Sequence, residues 1–275
     1  MNRFLSLLAA SVLATGAVAQ TPIKTGIDAT FAPHAMPKLG GGLEGFNVDL
    51  GNEIAKRVGR SIEIEGTEFS SLIPGLNAKK YDFLIAPTTV TPERAKNLLF
   101  TEGYMETDYM FLQRKGDKPI AGLEDLKGKT ITVNKGSAYE TWAKANQEKY
   151  GYKYDVYGTN ADAVQAVLSK RADANMAGHT VVMWAAKNNP QVTPTFTHKT
   201  GLVWSMPFRK DDKAGRDQYS MVIKCMKKDG TVARLYEKWF GLKPAADSWV
   251  HKIAAGHGVP DMDGYDPTPV ALKCS

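Results

Sequence analysis

The sequence has 275 residues, of which 43% are hydrophobic and 23% are charged, so one or two globular domains are expected rather than a disordered or fibrous chain. Its formal net charge is +6, but no run of basic residues is longer than two, and a nucleic-acid partner is not predicted. No apolar stretch of about eighteen residues follows the N-terminus, which excludes a multi-span membrane protein.

Residues 1–19 have the three parts of a secretory signal peptide. Arg3 supplies the positive charge, residues 4–14 are apolar, and Ala17-Val18-Ala19 forms a cleavage site before Gln20. The alternative is an uncleaved N-terminal anchor, for which the apolar run is short. Because no cysteine lies near the cleavage site, we expect an exported, periplasmic protein with no direct membrane anchor.

The chain contains only two cysteines, Cys225 and Cys274. In an oxidising compartment two thiols normally pair. We therefore predict a disulfide that attaches the C-terminal tail to the body of the protein, with two free thiols as the alternative.

The first half of the exported chain alternates between strand and helix patterns. Helices are predicted at 46–58, where apolar residues recur every four positions, and at 71–80; strands are predicted at 23–27, 62–65 and 83–85. Thr91-Pro92-Glu93 combines a capping hydroxyl, a proline and an acid, which is typical of a helix start. This order predicts a mainly parallel sheet covered by helices.

A second unit of the same kind follows the charged turn at 114–119. Asn160 is expected to cap one of its helices, and residues 244–275 read as an extended tail on the surface. The remaining predictions are strands at 130–134, 152–157 and 202–208, and helices at 138–142, at 160–168, at 215–228 and ending at 239–241.

Enzyme signatures are scarce in this sequence. It has no GxSxG, HExxH or P-loop motif, its five histidines are scattered, and Gly40-Gly41-Gly42 does not open a helix. We therefore predict no enzyme activity, no metal site and no cofactor.

The segment at 81–99, YDFLIAPTTVTPERAKNLL, is the strongest candidate for a ligand site. A buried strand ends there, a polar loop with Thr88 and Thr89 follows, and a capped helix carries Arg94. In an open α/β sheet, ligands bind at the carboxyl ends of the strands, and a guanidinium suits a carboxylate. From spacing alone, an Arg94 that pairs with Glu93 or Asp82 on the surface is an equal alternative.

The same segment carries a family resemblance. GFNVDLGNEIAKRV, FSSLIPGLNAKKYDFLIAPTTVTPERAKNLLFTEGY, LEDLKGKTITVNKGSAYE and KKDGTVARLYEKWFG occur in this order over 23–241. They resemble the periplasmic amino-acid-binding proteins of ABC importers, solute-binding family 3. The resemblance implies an α/β fold of the periplasmic-binding-protein type, a monomer with two mainly parallel lobes joined by two crossing hinge strands. Lobe boundaries of 20–113 plus 208–275, and 114–207, are expected, with an inner-membrane permease as partner.

The resemblance also implies ligand-binding roles for individual residues. Arg94 corresponds to the arginine that holds the ligand carboxylate, and Gly136-Ser137-Ala138 corresponds to a loop that binds the same group at a helix N-terminus. The other implied residues are Thr89 and Pro87 beside Arg94, the aromatic pair Phe31 and Phe69, and Asp28 at the distal end of the ligand, with Thr88 and Asn47 in the same site.

Three positions depart from the family pattern. Asn47 replaces an acid, which argues against a lysine- or arginine-type ligand, and Pro87 lacks a backbone N–H donor. Gly178 stands where an aspartate normally binds the α-ammonium. Either Asp28 or Glu140 takes over this role, or the ligand is an opine, a substituted amine or an organic acid, which His179 then contacts.

Two other classes of function remain open at this point. One is a periplasmic, dehydratase-like enzyme on the same fold, with Asp28 or His179 as the acid or base. The other is a sensor module that acts on a chemoreceptor.

Overall fold

The computed structural model describes residues 21–274, and the predicted signal peptide lies outside them. The chain alternates between strands and helices. The helices are α1 (Phe46–Arg57), α2 (Phe69–Asn77), α3 (Pro92–Asn97), α4 (Ala138–Tyr150), α5 (Asn160–Leu168), α6 (His179–Asn188), α7 (Lys213–Lys228) and α8 (Thr231–Phe240), with a short 3-10 helix at Leu123–Leu126. The strands up to the first crossing are β1 (Ile23–Asp28), β2 (Met36–Pro37), β3 (Leu43–Glu44), β4 (Ile62–Thr67), β5 (Phe83–Leu84), β6 (Thr88–Thr89), β7 (Leu98–Phe100) and β8 (Met105–Glu106). The later strands are β9 (Tyr109–Arg114), β10 (Thr130–Asn134), β11 (Lys153–Tyr157), β12 (Ala174–Gly178), β13 (Val192–His198), β14 (Val203–Ser205) and β15 (Pro207–Arg209).

Two main sheets define two lobes. In lobe 1 the strand order is β4-β1-β5, all parallel, with α1, α2, α7 and α8 among the helices that belong to it. In lobe 2 the order is β11-β10-β12-β9-β13; the first three strands are parallel, and β9 runs antiparallel to β12 and β13. The predicted two-lobed α/β architecture is confirmed.

The two crossings between the lobes lie earlier in the chain than the boundaries at 113/114 and 207/208 that we expected. Strand β9 already belongs to the sheet of lobe 2, whereas β14 pairs with β6 and β8 on the lobe 1 side. The crossing segments are therefore 107–108 and 199–202. They run side by side, because the backbone N–H of Thr107 donates to Leu202 at 2.8 Å.

One predicted helix cap is wrong by one residue. Thr159, not Asn160, caps α5, because its hydroxyl accepts a hydrogen bond from the backbone N–H of Asp162 at 3.1 Å. The cap of α3 agrees with the prediction, since the Thr91 hydroxyl accepts from the backbone N–H of Arg94 at 3.3 Å.

The tail after α8 contains no helix and lies against lobe 1. The predicted Cys225–Cys274 disulfide is formed and joins the end of the tail to α7. Further in, the wholly buried carboxylate of Glu102 pairs with Lys224 and Lys227 and accepts the backbone N–H of Ala254 at 3.0 Å. The tail is thus held by a disulfide and by a hydrogen bond to a buried ion-pair cluster of lobe 1. Among residues 21–274, no helix is long and apolar enough to cross a membrane.

Candidate functional site

A cavity between the two lobes brings together the ends of several elements. About 20 Å³ of it is open to a water-sized molecule, so the lobes lie close together here. Both lobes contribute to its lining, which consists of Asp28, Phe31, Phe69, Pro87, Thr89, Arg94, Asn134, Ser137, Ala138 and Tyr139. Because β1 and β10 are parallel strands of separate sheets and both end here, the cavity lies where the fold class predicts a ligand site.

Arg94 lies on the first turn of α3 and bridges the lobes. Its Nη1 donates to the backbone oxygen of Thr89 at 2.9 Å in lobe 1, and its Nη2 donates to that of Gly136 at 3.0 Å in lobe 2. The guanidinium also stacks over Phe69, with 5.5 Å from Cζ to the ring centre. These contacts fix the orientation of the guanidinium plane, although the arginine side chain is long and flexible by itself.

No ion pair formed within residues 21–274 includes Arg94, so the surface pairing with Glu93 or Asp82 does not occur. The carboxylate of Asp82 instead accepts the backbone N–H of Lys24 at 2.9 Å. Burial lowers the pKa of the Arg94 guanidinium from its ordinary value. A guanidinium stays charged nevertheless, and a partly desolvated cation without a counter-ion favours an anionic ligand.

The N-terminus of α4 faces the same end of the cavity. The Ser137 hydroxyl accepts the backbone N–H of Glu140 at 3.1 Å and caps the helix, and the Glu140 carboxylate accepts the backbone N–H of Gly136, the residue before the cap, at 2.6 Å. Glu140 is therefore engaged at the helix start and does not line the cavity. The first N–H groups of α4 have no intrahelical acceptor, and the helix dipole favours negative charge there.

Asp28 and Asn134 meet across the lobes. Nδ2 of Asn134 donates to Oδ2 of Asp28 at 2.9 Å, while Oδ1 of Asp28 accepts both the backbone N–H and the hydroxyl of Thr30. Asp28 is 1% exposed and Asn134 is 2% exposed. The buried carboxylate of Asp28 thus accepts three hydrogen bonds from the protein. It lines the cavity and also takes part in a hydrogen bond between the two lobes.

Three of the predicted site residues do not line this cavity. Asn47 is wholly buried, where its Nδ2 donates to the Ile85 oxygen and to Tyr104. The Thr88 hydroxyl donates to the backbone oxygen of Ala86 at 3.0 Å. His179 packs on the face of Trp204 and lines the separate cavity between α6 and α8. None of these three side chains is part of the lining, and the ligand-binding role expected for them stays a prediction.

Two residues that the sequence did not single out do line the cavity, namely Asn134 and Tyr139. Asn134 ends β10, and the carboxyl end of a predicted parallel strand was the signal available for it. Tyr139 lies one residue beyond the predicted Ser137-Ala138 pair. Burial raises the pKa of its phenol well above the ordinary value, so the hydroxyl stays protonated.

Gly178 is closed off by aromatic side chains. A Cβ atom at this position would lie 2.6 Å from Cη2 of Trp204 and 2.9 Å from the hydroxyl oxygen of Tyr139. Trp204 is 1% exposed and packs against His34 as well. The space beside position 178 is therefore filled by an indole ring.

A larger cavity, with about 280 Å³ open to a water-sized molecule, lies away from Arg94 between α6 and α8. Aromatic and aliphatic side chains form most of its lining, including Met183, Trp184, Trp239 and Phe240. It holds neither the guanidinium nor the helix N-terminus, so its size alone does not make it the site for an anion. No group of three His, Cys, Asp or Glu side chains that could hold a metal ion occurs in the described part of the chain.

Comparison with known proteins agrees with this architecture. A family model described as bacterial extracellular solute-binding proteins, family 3, matches residues 23–242. The chain belongs to this family.

Relatives within the family have named ligands of their own. The arginine-binding extracellular protein ArtP of Bacillus subtilis is 32% identical over 220 residues, which cover 78% of this chain and 84% of the relative. The L-cystine-binding protein TcyJ of Escherichia coli is 28% identical over 218 residues, covering 78% and 81%.

Solved structures of this family superpose closely. An ancestral arginine-binding protein bound to arginine has a TM-score of 0.77 and 33% identity, covering 81% of this chain and 100% of that one. The ancestral amino acid-binding protein AncCDT-1, a precursor of cyclohexadienyl dehydratase, has a TM-score of 0.72 and 32% identity, covering 80% and 95%.

Proposed function

We propose that this family 3 protein is a periplasmic receptor that captures a small carboxylate-bearing, amino-acid-like solute and delivers it to the inner-membrane permease of an ABC importer. One observation carries the proposal: Arg94 has no carboxylate partner within residues 21–274 and lies in a cavity that both lobes close. The ligand's carboxylate is its counter-ion, and the N-terminus of α4 supports the same charge.

The mechanism is a shift between open and closed lobes. A solute that touches Arg94 on lobe 1 and Ser137 on lobe 2 binds the closed form more tightly, so it stabilises closure. Moving the ratio of closed to open molecules from 1:99 to 99:1 takes about 5.5 kcal/mol of differential affinity. Arg94, Phe31 and Phe69 hold the small molecule on lobe 1, whereas its contacts with Ser137 and the start of α4 on lobe 2 form only on closure and are the source of that difference. The permease then receives the closed form of a monomer.

The ligand need not be that of the relatives. Asp28 is the only acidic residue among the described residues that line the cavity. The space beside Gly178 is occupied by Trp204. An opine, a substituted amine or an organic acid without a free α-amine fits this arrangement.

A dehydratase-like enzyme is the second candidate, because AncCDT-1 is described as the precursor of such an enzyme. Asp28 is the acid that lines the cavity, but His179 does not line it. Incubation with each bound solute, followed by mass spectrometry, separates the two functions: an enzyme alters the solute and a receptor releases it unchanged.

The direct test begins with mass spectrometry of the solute that co-purifies, followed by calorimetry with that compound. Arg94→Ala is expected to abolish binding with little change in the melting temperature of the ligand-free protein. Lys96→Ala, on the exposed side of the same helix, is the matched control and should bind normally. Unchanged affinity of Arg94→Ala would contradict the proposed site.

A further inference from the structure

Asn134 has one end of its carboxamide unused. Nδ2 donates to Asp28, so the amide must turn its NH2 group towards that carboxylate, and Oδ1 is the end left for another donor. This oxygen is buried and accepts no hydrogen bond from any described residue. A buried acceptor without a donor is costly, and Asn134 lines the cavity beside Arg94.

Asp28 also retains acceptor capacity on the side of Asn134. A carboxylate offers about four acceptor sites. Its Oδ1 accepts two hydrogen bonds from Thr30, whereas its Oδ2 accepts only the one from Asn134. One site on Oδ2 and the free Oδ1 of Asn134 are therefore neighbouring acceptors, with no donor for them among residues 21–274.

The charges in the cavity point to a zwitterion. The charged side chains among its described lining residues are Arg94 and Asp28, one of each sign. A ligand with one carboxylate and one cationic group balances both, whereas a plain anion leaves Asp28 without a counter-charge. An ammonium group has three N–H donors and no acceptor, which matches a pair of free acceptors on Asp28 and Asn134.

The position of that cation along the ligand follows from the wall at Gly178. Trp204 and Tyr139 occupy the space where a side chain at position 178 would project, so no carboxylate is available there for an ammonium next to the ligand's carboxylate. The acid of the site lies instead at the carboxyl ends of β1 and β10.

We infer that the solute is an ω-amino carboxylate, an inference that rests on the proposed function. Its carboxylate binds Arg94 and the start of α4, and its terminal ammonium binds Oδ2 of Asp28 and Oδ1 of Asn134. Asn134 is then a specificity-determining residue. It selects ligands with a donor at the end remote from the carboxylate.

Calorimetry with matched compounds tests this inference on the full-length exported protein after removal of co-purified solute by refolding. The ω-amino series is β-alanine, γ-aminobutyrate and δ-aminovalerate. Each has an α-amino isomer, alanine, α-aminobutyrate or norvaline, and a plain acid, propionate, butyrate or valerate. We expect the best ω-amino acid to bind at least about tenfold more tightly than its isomer and its plain acid. A tighter α-amino isomer, or an equally tight plain acid, overturns the inference.

A further probe separates charge from hydrogen bonding. γ-Hydroxybutyrate offers a terminal donor without a charge and should bind at least about tenfold more weakly than γ-aminobutyrate, because charge-assisted hydrogen bonds are the stronger ones. Equal affinities would overturn the ammonium assignment.

Asn134→Leu removes the acceptor at similar volume and should reduce the preference for the ω-amino acid over the plain acid by about tenfold. Asn146→Leu, on α4 outside the cavity, should retain the preference. If Asn134→Leu does not fold, Asn134→Ser is the substitute, and the compound series on the unmodified protein still decides. A preference that survives loss of the amide contradicts the role of Asn134.

Failure of this inference and failure of the proposed function look different. If another carboxylate-bearing solute binds in an Arg94-dependent way while every ω-amino acid fails, only the inference is wrong. If no carboxylate-bearing solute binds, or if binding survives Arg94→Ala, the proposed function is wrong as well.

Discussion

Nε2 of His34 lies 2.7 Å from Oγ1 of Thr180, and this hydrogen bond joins lobe 1 to lobe 2. The direction of the bond follows from its surroundings. Asn47 uses its NH2 group for Ile85 and Tyr104, so its Oδ1 accepts the N–H at Nδ1 of His34. The other ring nitrogen is then the acceptor, and the Thr180 hydroxyl donates to it.

Thr180→Val should weaken ligand binding without any change in the ligand site. The variant loses a hydrogen bond that forms only when the lobes are closed. The dissociation constant of the identified solute is therefore expected to rise up to about tenfold. Calorimetry provides the measurement. Thr132→Val is the control, because that hydroxyl bonds to Ala163 inside lobe 2 and its loss affects stability rather than closure. An unchanged dissociation constant in Thr180→Val would show that this contact does not contribute to closure.

The buried imidazole of His34 should make the protein acid-sensitive. Burial lowers the pKa of His34 from 6.5 to about 3, so between these values the unfolded chain binds a proton that the folded chain does not. The free energy of unfolding therefore falls as the pH is lowered through this range. Denaturant titrations of the protein and of His34→Gln at a series of pH values should show their difference in stability shrinking towards acid. A pH-independent difference would mean that His34 is not held neutral.

Removal of the disulfide by Cys274→Ser should lower the free energy of unfolding by about 2–4 kcal/mol, the usual range for a bridge of this kind. Denaturant titration measures the loss. Reduction of the unmodified protein should reproduce it, and the variant itself should not respond to the reductant. Ligand affinity should stay the same, because both cysteines lie outside the cavity lining. A parallel loss of affinity would indicate that the tail influences the site.

Gly178→Asp should not create an α-ammonium site. The new Cβ would meet Trp204 at 2.6 Å, and overpacking of this kind costs about 1–3 kcal/mol. We expect a lower melting temperature and no gain in affinity for α-amino acids. Gly122→Asp is the control, since nothing lies within 4 Å of a Cβ there. Tight binding of an α-amino acid by Gly178→Asp would show that Trp204 moves aside readily.

The fold and one end of the site were predictable from the sequence for local reasons. Thr91, Pro92 and Arg94 lie in one helix turn, and that turn alone determines where the guanidinium starts. Asn47 and His179 do not line the cavity, because contacts distant in sequence determine where their side chains lie. His34 and Tyr104 surround the first, and Trp204 covers the second. The hydrogen bond between Asp28 and Asn134 joins residues of different lobes, so no local sequence pattern predicts it.

Because the tail is attached to one lobe, the C-terminus is a suitable position for a label on that lobe. Glu102, Arg216 and Cys225 hold residues 254, 264 and 274 in turn, and all three belong to the lobe 1 side of the crossings. A dye fused after the last residue therefore travels with that half of the molecule. Paired with an acceptor dye on the exposed α6 of the other half, it would convert closure into a change in energy transfer that single molecules can report.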